Sequence, residues 1–305
     1  MIKLLPSILS FLEIVEFVLG YFSNSFIALV NCTDWVKRQK LSYTDRILTA
    51  LAVSRIILLW VTVFNWYETV FDPAFCNSEL RVIVHIAWVV SNHFSLWLAT
   101  SLSIFYLLKI TNFSCFSFLH LKRKAKRVVV MMLWWSLVFL ICHLALVSAD
   151  EKMQMNEYEG NVTWVTNLKN IVHLAHVTVL TFVYFIPFTI SLTAFVLLIF
   201  SLWKHLKRMQ ISGKGSQDPS SKVHVRAMQT VISFLLLFVI HVLTQMIRVW
   251  SSITLPNNSV LMLFQVLGIL YPSGHSLILI WENKKLRLAF LSFLWKLRCW
   301  MKKRK

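Results

Sequence analysis

Trp88, Asn92, Ser95 and Ala99 recur at intervals of three and four residues, which places them on one face of a helix. Such a face joins an aromatic wall to an amide and a hydroxyl, the way a pocket for a small molecule is lined. His93 stands next to it in the chain, and His241 and Gln265 carry further polar groups, with Thr181 and Tyr184 as weaker candidates for the same cavity. A second set, Asn24, Arg55 and Ser276, could hold a guanidinium between an amide and a hydroxyl, and the adjacent His275 is counted with this polar core. Catalysis finds little support. His173 and His176 are three residues apart, but no carboxylate joins them as a metal triad, and six glycines build neither a phosphate cradle nor a nucleophile elbow. The expectation is therefore a binding protein without enzymatic activity, cofactor or metal.

The elements that position these residues are set by charge-free runs. Of 305 residues 57% are hydrophobic and 14% charged, whereas a soluble domain carries about a quarter charged residues. Stretches of 27, 22, 34, 21 and 33 residues lack any charge, at 82–108, 128–149, 170–203, 227–247 and 249–281. About 20 residues rising ~1.5 Å each cross the ~30 Å of a bilayer's hydrocarbon, so each run is long enough to span it as a helix. Two more spans are interrupted by charge: residues 5–31 contain Glu13 and Glu16, and residues 46–66 contain Arg55. The fold expected is an all-α, integral membrane bundle of seven helices near 5–31, 46–66, 82–108, 128–149, 173–203, 227–248 and 258–281. These form one receptor domain over 1–281, followed by a basic tail at 282–305. Soluble enzymes, secreted disulfide scaffolds and disordered tails are excluded.

The connecting segments fall into two sets of unequal charge. Residues 32–46, 111–127, 204–226 and 282–305 carry 4, 5, 6 and 9 Lys and Arg, which is 24 of the 31 in the chain. The opposite set carries Lys3, Arg81, Lys152 and Lys169. The basic set is assigned to the cytoplasm, with the amino terminus outside and the carboxyl terminus inside. The net charge of +18 is then mainly topology, attracting anionic membrane lipid and requiring no nucleic acid. Residues 5–31 are too long an apolar stretch for a signal peptide and lack its cleavage pattern, so they are expected to remain as the first span. Cys76 is the single cysteine assigned outside, which leaves no disulfide between outer segments; Cys299, beside Trp300 in the tail, is a candidate for acylation. The acceptor sequence Asn161-Val162-Thr163 lies in an outer segment, so Asn161 is the expected glycosylation site.

Within this topology the polar residues sort by depth. Asn24, Arg55 and Ser276 sit about 10, 13 and 9 Å from the cytoplasmic ends of their spans, so they can meet. Their cluster reads either as a static clamp or as a switch whose hydrogen bonds rearrange when the sixth and seventh spans move. Trp88, His241 and Gln265 lie about 9–10 Å from the outer ends and Asn92 about 15 Å. Polar atoms from several spans thus converge at one depth. A channel or transporter would want charged residues along a central path, and Glu13 and Glu16, both on the first span, face no basic row.

Seven spans with an exterior amino terminus resemble the G-protein-coupled receptors. The commonest class of these is not matched, because Phe105-Tyr106-Leu107-Leu108-Lys109 stands in place of Asp/Glu-Arg-Tyr and Tyr271-Pro272-Ser273-Gly274-His275-Ser276 in place of Asn-Pro-x-x-Tyr. Those replacements are similar to the bitter taste receptors, taste receptor type 2. Further matching residues are Glu16, Gly20 and Asn24; Leu51-Ala52-Val53-Ser54-Arg55; Asn92-His93-Phe94-Ser95-Leu96-Trp97; Leu198, Ser201, Leu202 and His205; Asp218-Pro219-Ser220 with Lys222 and His224; and Pro272-Ser273, His275-Ser276 and Asn283. Met228, Glu282 and His241 depart from the family's common residues, and Gln265 occupies a variable site. The related vomeronasal type 1 receptors share part of the sixth-span pattern, and a channel or transporter is the alternative of another class. The resemblance implies a plasma-membrane receptor that binds small, mostly apolar bitter compounds. It also implies coupling to a heterotrimeric G protein of the gustducin type through Tyr106, Lys109, His205, Lys207 and His224.

Overall fold

A polypeptide in hydrocarbon must satisfy every backbone N–H and C=O internally, and the charge-free runs do so as helices. The computed structural model describes residues 4–38, 41–70, 78–111, 116–156, 163–211, 219–254 and 258–303. They form α1 (Leu4–Arg38), α2 (Tyr43–Val70), α3 (Ser78–Ile110), α4 (Phe116–Arg123), α5 (Ala125–Asn156), α6 (Thr163–Ile211), α7 (Pro219–Thr254), α8 (Asn258–Glu282) and α9 (Lys284–Lys303). Seven of these, all but α4 and α9, are long and apolar enough to cross a membrane. No strand occurs among the described residues.

The seven spans close into a ring. Helix α1 lies between α2 and α8, α7 between α6 and α8, and α3 touches α2, α5 and α6. The inward faces share a core that includes Leu48, Leu51, Leu96, Tyr184, Phe238 and Tyr271. The outward faces stay apolar as well: Trp134 and Trp135 on α5 are 69% and 66% exposed. An apolar surface of this extent requires lipid. On α1 Gly20 faces α8, and a Cβ there would collide with Ser273 Oγ and meet Leu59 Cδ1 at 3.0 Å. Only a glycine lets the two backbones come this near.

The basic tail, expected only as a segment attracted to lipid, folds as α9. The Asn283 side chain accepts hydrogen bonds from the backbone N–H of Lys285 at 3.0 Å and of Leu286 at 3.3 Å, which caps the new helix. Lys285 then ties the junction together, with Nζ 2.9 Å from Asn31 Oδ1 and Asp34 Oδ2 and 3.4 Å from Asp45 Oδ2. Beyond it Phe290 and Phe293 pack edge-on or tilted against Phe22 and Phe26 of α1, the closest pair 5.5 Å between ring centroids.

Candidate functional site

Arg55 sits on α2 with no solvent exposure. Its guanidinium donates to His275 Nδ1 at 2.8 Å, to Ser276 Oγ at 2.9 Å and, through Nε, to Ser95 Oγ at 3.5 Å. An arginine can only donate, so the His275 proton must reside on Nε2. Ser276 Oγ lies 2.8 Å from Asn24 Oδ1 and 2.9 Å from the Pro272 carbonyl, and its hydrogen can go to either. Asn24 in turn donates to the carbonyls of Gly20 at 2.8 Å and Pro272 at 3.2 Å. Asn24, Arg55 and Ser276 therefore meet as their depths implied, and His275 and Ser95 join the cluster, the latter from α3. The proline at 272 has no N–H, and its carbonyl serves this network.

One step toward the end of the bundle where α1 begins, Tyr271 carries the guanidinium 5.0 Å above its ring. Tyr271 also stacks on His241 at 5.0 Å and 29° and packs against Phe238 and His275 at 5.5 and 5.2 Å. His241 belongs to a second group of polar residues, with Trp88, Asn92, Gln245, Arg248 and Gln265 around one internal space. The side chains close that space to about 10 Å³, room for about one water, so a ligand must part them to enter. Asn92 Nδ2 donates to the Tyr184 hydroxyl at 2.6 Å, which fixes α6 against α3.

Trp88, Asn92, His241 and Gln265 are thus brought together. His93 is not: one residue along α3 the helix has turned by about 100°, and its ring lies beside Trp97, 6.0 Å away, on the side of His143 of α5. Thr181 is half-buried and returns its hydroxyl to the Val177 carbonyl of its own helix at 2.8 Å, outside the group lining the space. Gln245 and Arg248 belong to the site although neither was expected there. The signal was present, since 241, 245 and 248 recur at helical spacing, but Arg248 reads equally well as the charged boundary of its span.

Near the α9 end, Tyr106 turns inward beside Phe195, Phe234 and His275, while Lys109, His205 and Lys207 are exposed. Lys109 lies over Phe105 at 5.8 Å and Lys207 over Trp203 at 5.5 Å. The His224 side chain and Asn161 lie outside the described residues. Cys299 is half-buried on α9. Among the described residues no three His, Cys, Asp or Glu side chains are placed to hold a metal.

A ring of seven apolar helices around a polar cluster and a ligand-sized group of aromatic and amide side chains defines a seven-helix membrane receptor. A family profile described as Taste receptor protein (TAS2R) matches residues 1–298. Taste receptor type 2 member 31 of Papio hamadryas is 55% identical over 305 residues, covering 100% of this chain and 99% of its own length. Human taste receptor type 2 member 43 is 55% identical and human member 46 is 54% identical, each over 302 residues, 99% of this chain and 98% of the relative. The chain belongs to the taste receptor type 2 family. It is accordingly a bitter taste receptor and not an enzyme, a multi-pass protein of the plasma membrane that binds ligand and couples to G protein.

Proposed function

We propose that small, mostly apolar bitter compounds enter between α2, α3, α7 and α8, contact Trp88, Asn92, His241 and Gln265, and shift the Arg55 cluster through Tyr271. The observation that carries this reading is the contact of Tyr271 with both groups: the His241 ring of the pocket lining at 5.0 Å and the Arg55 guanidinium at 5.0 Å. A ligand that displaces the His241 ring moves the aromatic surface on which the guanidinium rests. The hydrogen bonds from Arg55 to His275 and Ser276 hold α2 to α8, and a rearrangement there alters how α7 and α8 pack at the α9 end. The amino terminus faces outside and the Lys-rich segments face the cytoplasm, where Tyr106, Lys109, His205, Lys207 and His224 contribute to the contact with a gustducin-type G protein. Asn161 carries a glycan on the outer side. Cys299 on α9, a helix lying against the membrane, accepts an acyl chain.

The test is calcium release in cells that co-express the receptor and a promiscuous G protein, on adding a panel of bitter compounds. Trp88→Ala and Asn92→Ala are expected to weaken agonist potency by about tenfold or more, the loss of one or two buried contacts, with surface staining unchanged. Unaltered dose–response curves in both variants would remove the pocket from this place.

A further inference from the structure

We propose that the basic groove where α3, α4 and α5 meet binds an inner-leaflet lipid whose headgroup carries several phosphates, a phosphorylated inositol. The site is separate from the agonist pocket, and it rests on the orientation above only for the leaflet that supplies the lipid. The groove is a cavity of about 610 Å³ between the last turn of α3 and the junction of α4 with α5, a volume ordinary for a small-molecule site. Six cations line it: Lys109, Lys122, Arg123, Lys124, Lys126 and Arg127. No Asp or Glu occurs in the chain between Glu79 and Asp150, so the walls hold no carboxylate of their own. Asp45, at the start of α2, is engaged by Lys285 at 3.4 Å.

The break between the two helices gathers the charges. Residues 122–127 all border the cavity, which one straight helix could not arrange, because consecutive residues point about 100° apart. Lys122 Nζ donates to the Thr111 carbonyl at 2.9 Å and fastens the end of α4 to the end of α3. Lys126 lies over the Tyr43 ring at 6.0 Å, and the Tyr43 hydroxyl donates to the Lys126 carbonyl at 3.3 Å, fixing the rim to α2. Arg123, Lys124 and Arg127 are exposed, and two guanidiniums among them suit the paired oxygens of a phosphate. One turn beyond Arg127, Val130 and Met131 are 42% and 55% exposed, and Trp134 and Trp135 follow. The groove therefore opens where hydrocarbon gives way to headgroups, and the apolar side of α5 continues from it as a bed for acyl chains. A headgroup with two phosphomonoesters and a phosphodiester carries roughly −4, against six cations. A headgroup of single charge would leave most of them unmatched, and basic pockets at the cytoplasmic end of membrane helices hold phosphoinositides in this way.

The experiment is native mass spectrometry of the purified full-length receptor in neutral detergent, titrated with phosphatidylinositol 4,5-bisphosphate, phosphatidylinositol or phosphatidylserine. The bisphosphate should be retained at about tenfold lower concentration than phosphatidylserine supplied at equal total charge. Each cation lost beside an anionic lipid costs about fivefold in affinity, so Arg123→Gln, Lys124→Gln and Arg127→Gln combined should cost on the order of a hundredfold. The same three losses on α9, Lys296→Gln, Arg298→Gln and Lys302→Gln, should leave retention within about threefold. Lys109, assigned above to the G protein, is untouched in both variants. If the first triple variant does not purify folded, Arg123→Gln and Lys124→Gln singly carry the test, each at about fivefold. Equal retention of phosphatidylserine, an unaffected groove variant, or an equal loss in the α9 variant overturns the site and leaves only diffuse attraction to negative charge. Soluble inositol 1,4,5-trisphosphate should compete weakly, because it lacks the acyl chains; competition as strong as that of the lipid would make a free polyphosphate the ligand and overturn the membrane source. Detergent presents lipid from every side, so these results do not depend on orientation. A carboxyl-terminal epitope reached from outside intact cells would overturn the inner-leaflet source alone.

Discussion

Arg55 donates to three polar side chains from other helices. Its partners come from α3 and α8, and through Ser276 they reach Asn24 of α1. Truncating it strands His275 Nδ1 and Ser276 without their charged donor inside a medium that offers no water. That costs about 2–4 kcal/mol, a large part of the stability of an ordinary domain. Arg55→Ala is therefore expected to reduce delivery to the cell surface severely and to lower thermal stability in detergent, with Arg55→Lys intermediate. Normal surface labelling combined with silent signalling would mean that the cluster acts as a switch with little share in stability. The sequence showed that Asn24, Arg55 and Ser276 could reach each other, because depth along a helix follows from counting residues. It could not show Tyr271 as the link to His241, since aromatic rings pack by shape and leave no mark on spacing.

Among the elements, α9 differs most from what composition implied. A segment with 9 basic residues in 24 reads as a solvated tail, yet Asn283 caps it, Leu286 is fully buried and its phenylalanines pack on α1. The cap is a single asparagine with no periodic signature, and the docking needs a partner face that exists only once α1 and α8 are side by side. Asn283→Ala should weaken the first turn by about 1 kcal/mol. Hydrogen exchange would then quicken at residues 284–290 and remain unchanged in α3. Nearby, the Arg226–Glu282 pair joins α7 to α8 at 3.3 Å, but Arg226 is exposed and Glu282 half-buried, and such a solvent-accessible pair contributes about 0–1 kcal/mol at most. The two helices are accordingly free to separate at this end with little electrostatic resistance.

For the whole molecule, the seven-helix bundle was legible because the bilayer imposes a length on every span and forbids charge along it. The helices overrun the hydrocarbon at several ends: α6 runs for 49 residues, well beyond the ~20 that a bilayer needs. Hydropathy marks the apolar middle of such a helix and stops where charge returns, although the backbone pairing continues. The proposed orientation rests on charge placement, and it has a direct readout. Asn161→Gln should remove an endoglycosidase-sensitive shift in gel mobility, while an epitope appended after Lys305 should be reached by antibody only in permeabilised cells. A surface-accessible carboxyl terminus would reverse the topology.

The near-absence of free space beside Trp88 and Asn92 bears on how such a receptor sets its threshold. At the proposed pocket an agonist must spend some of its attraction on prising the wall apart, so responses are expected to begin at concentrations above those that a preformed cleft would need. A receptor built this way is expected to respond only above a raised threshold. Compounds with very different outlines can then trigger it, because each opens the wall to its own shape.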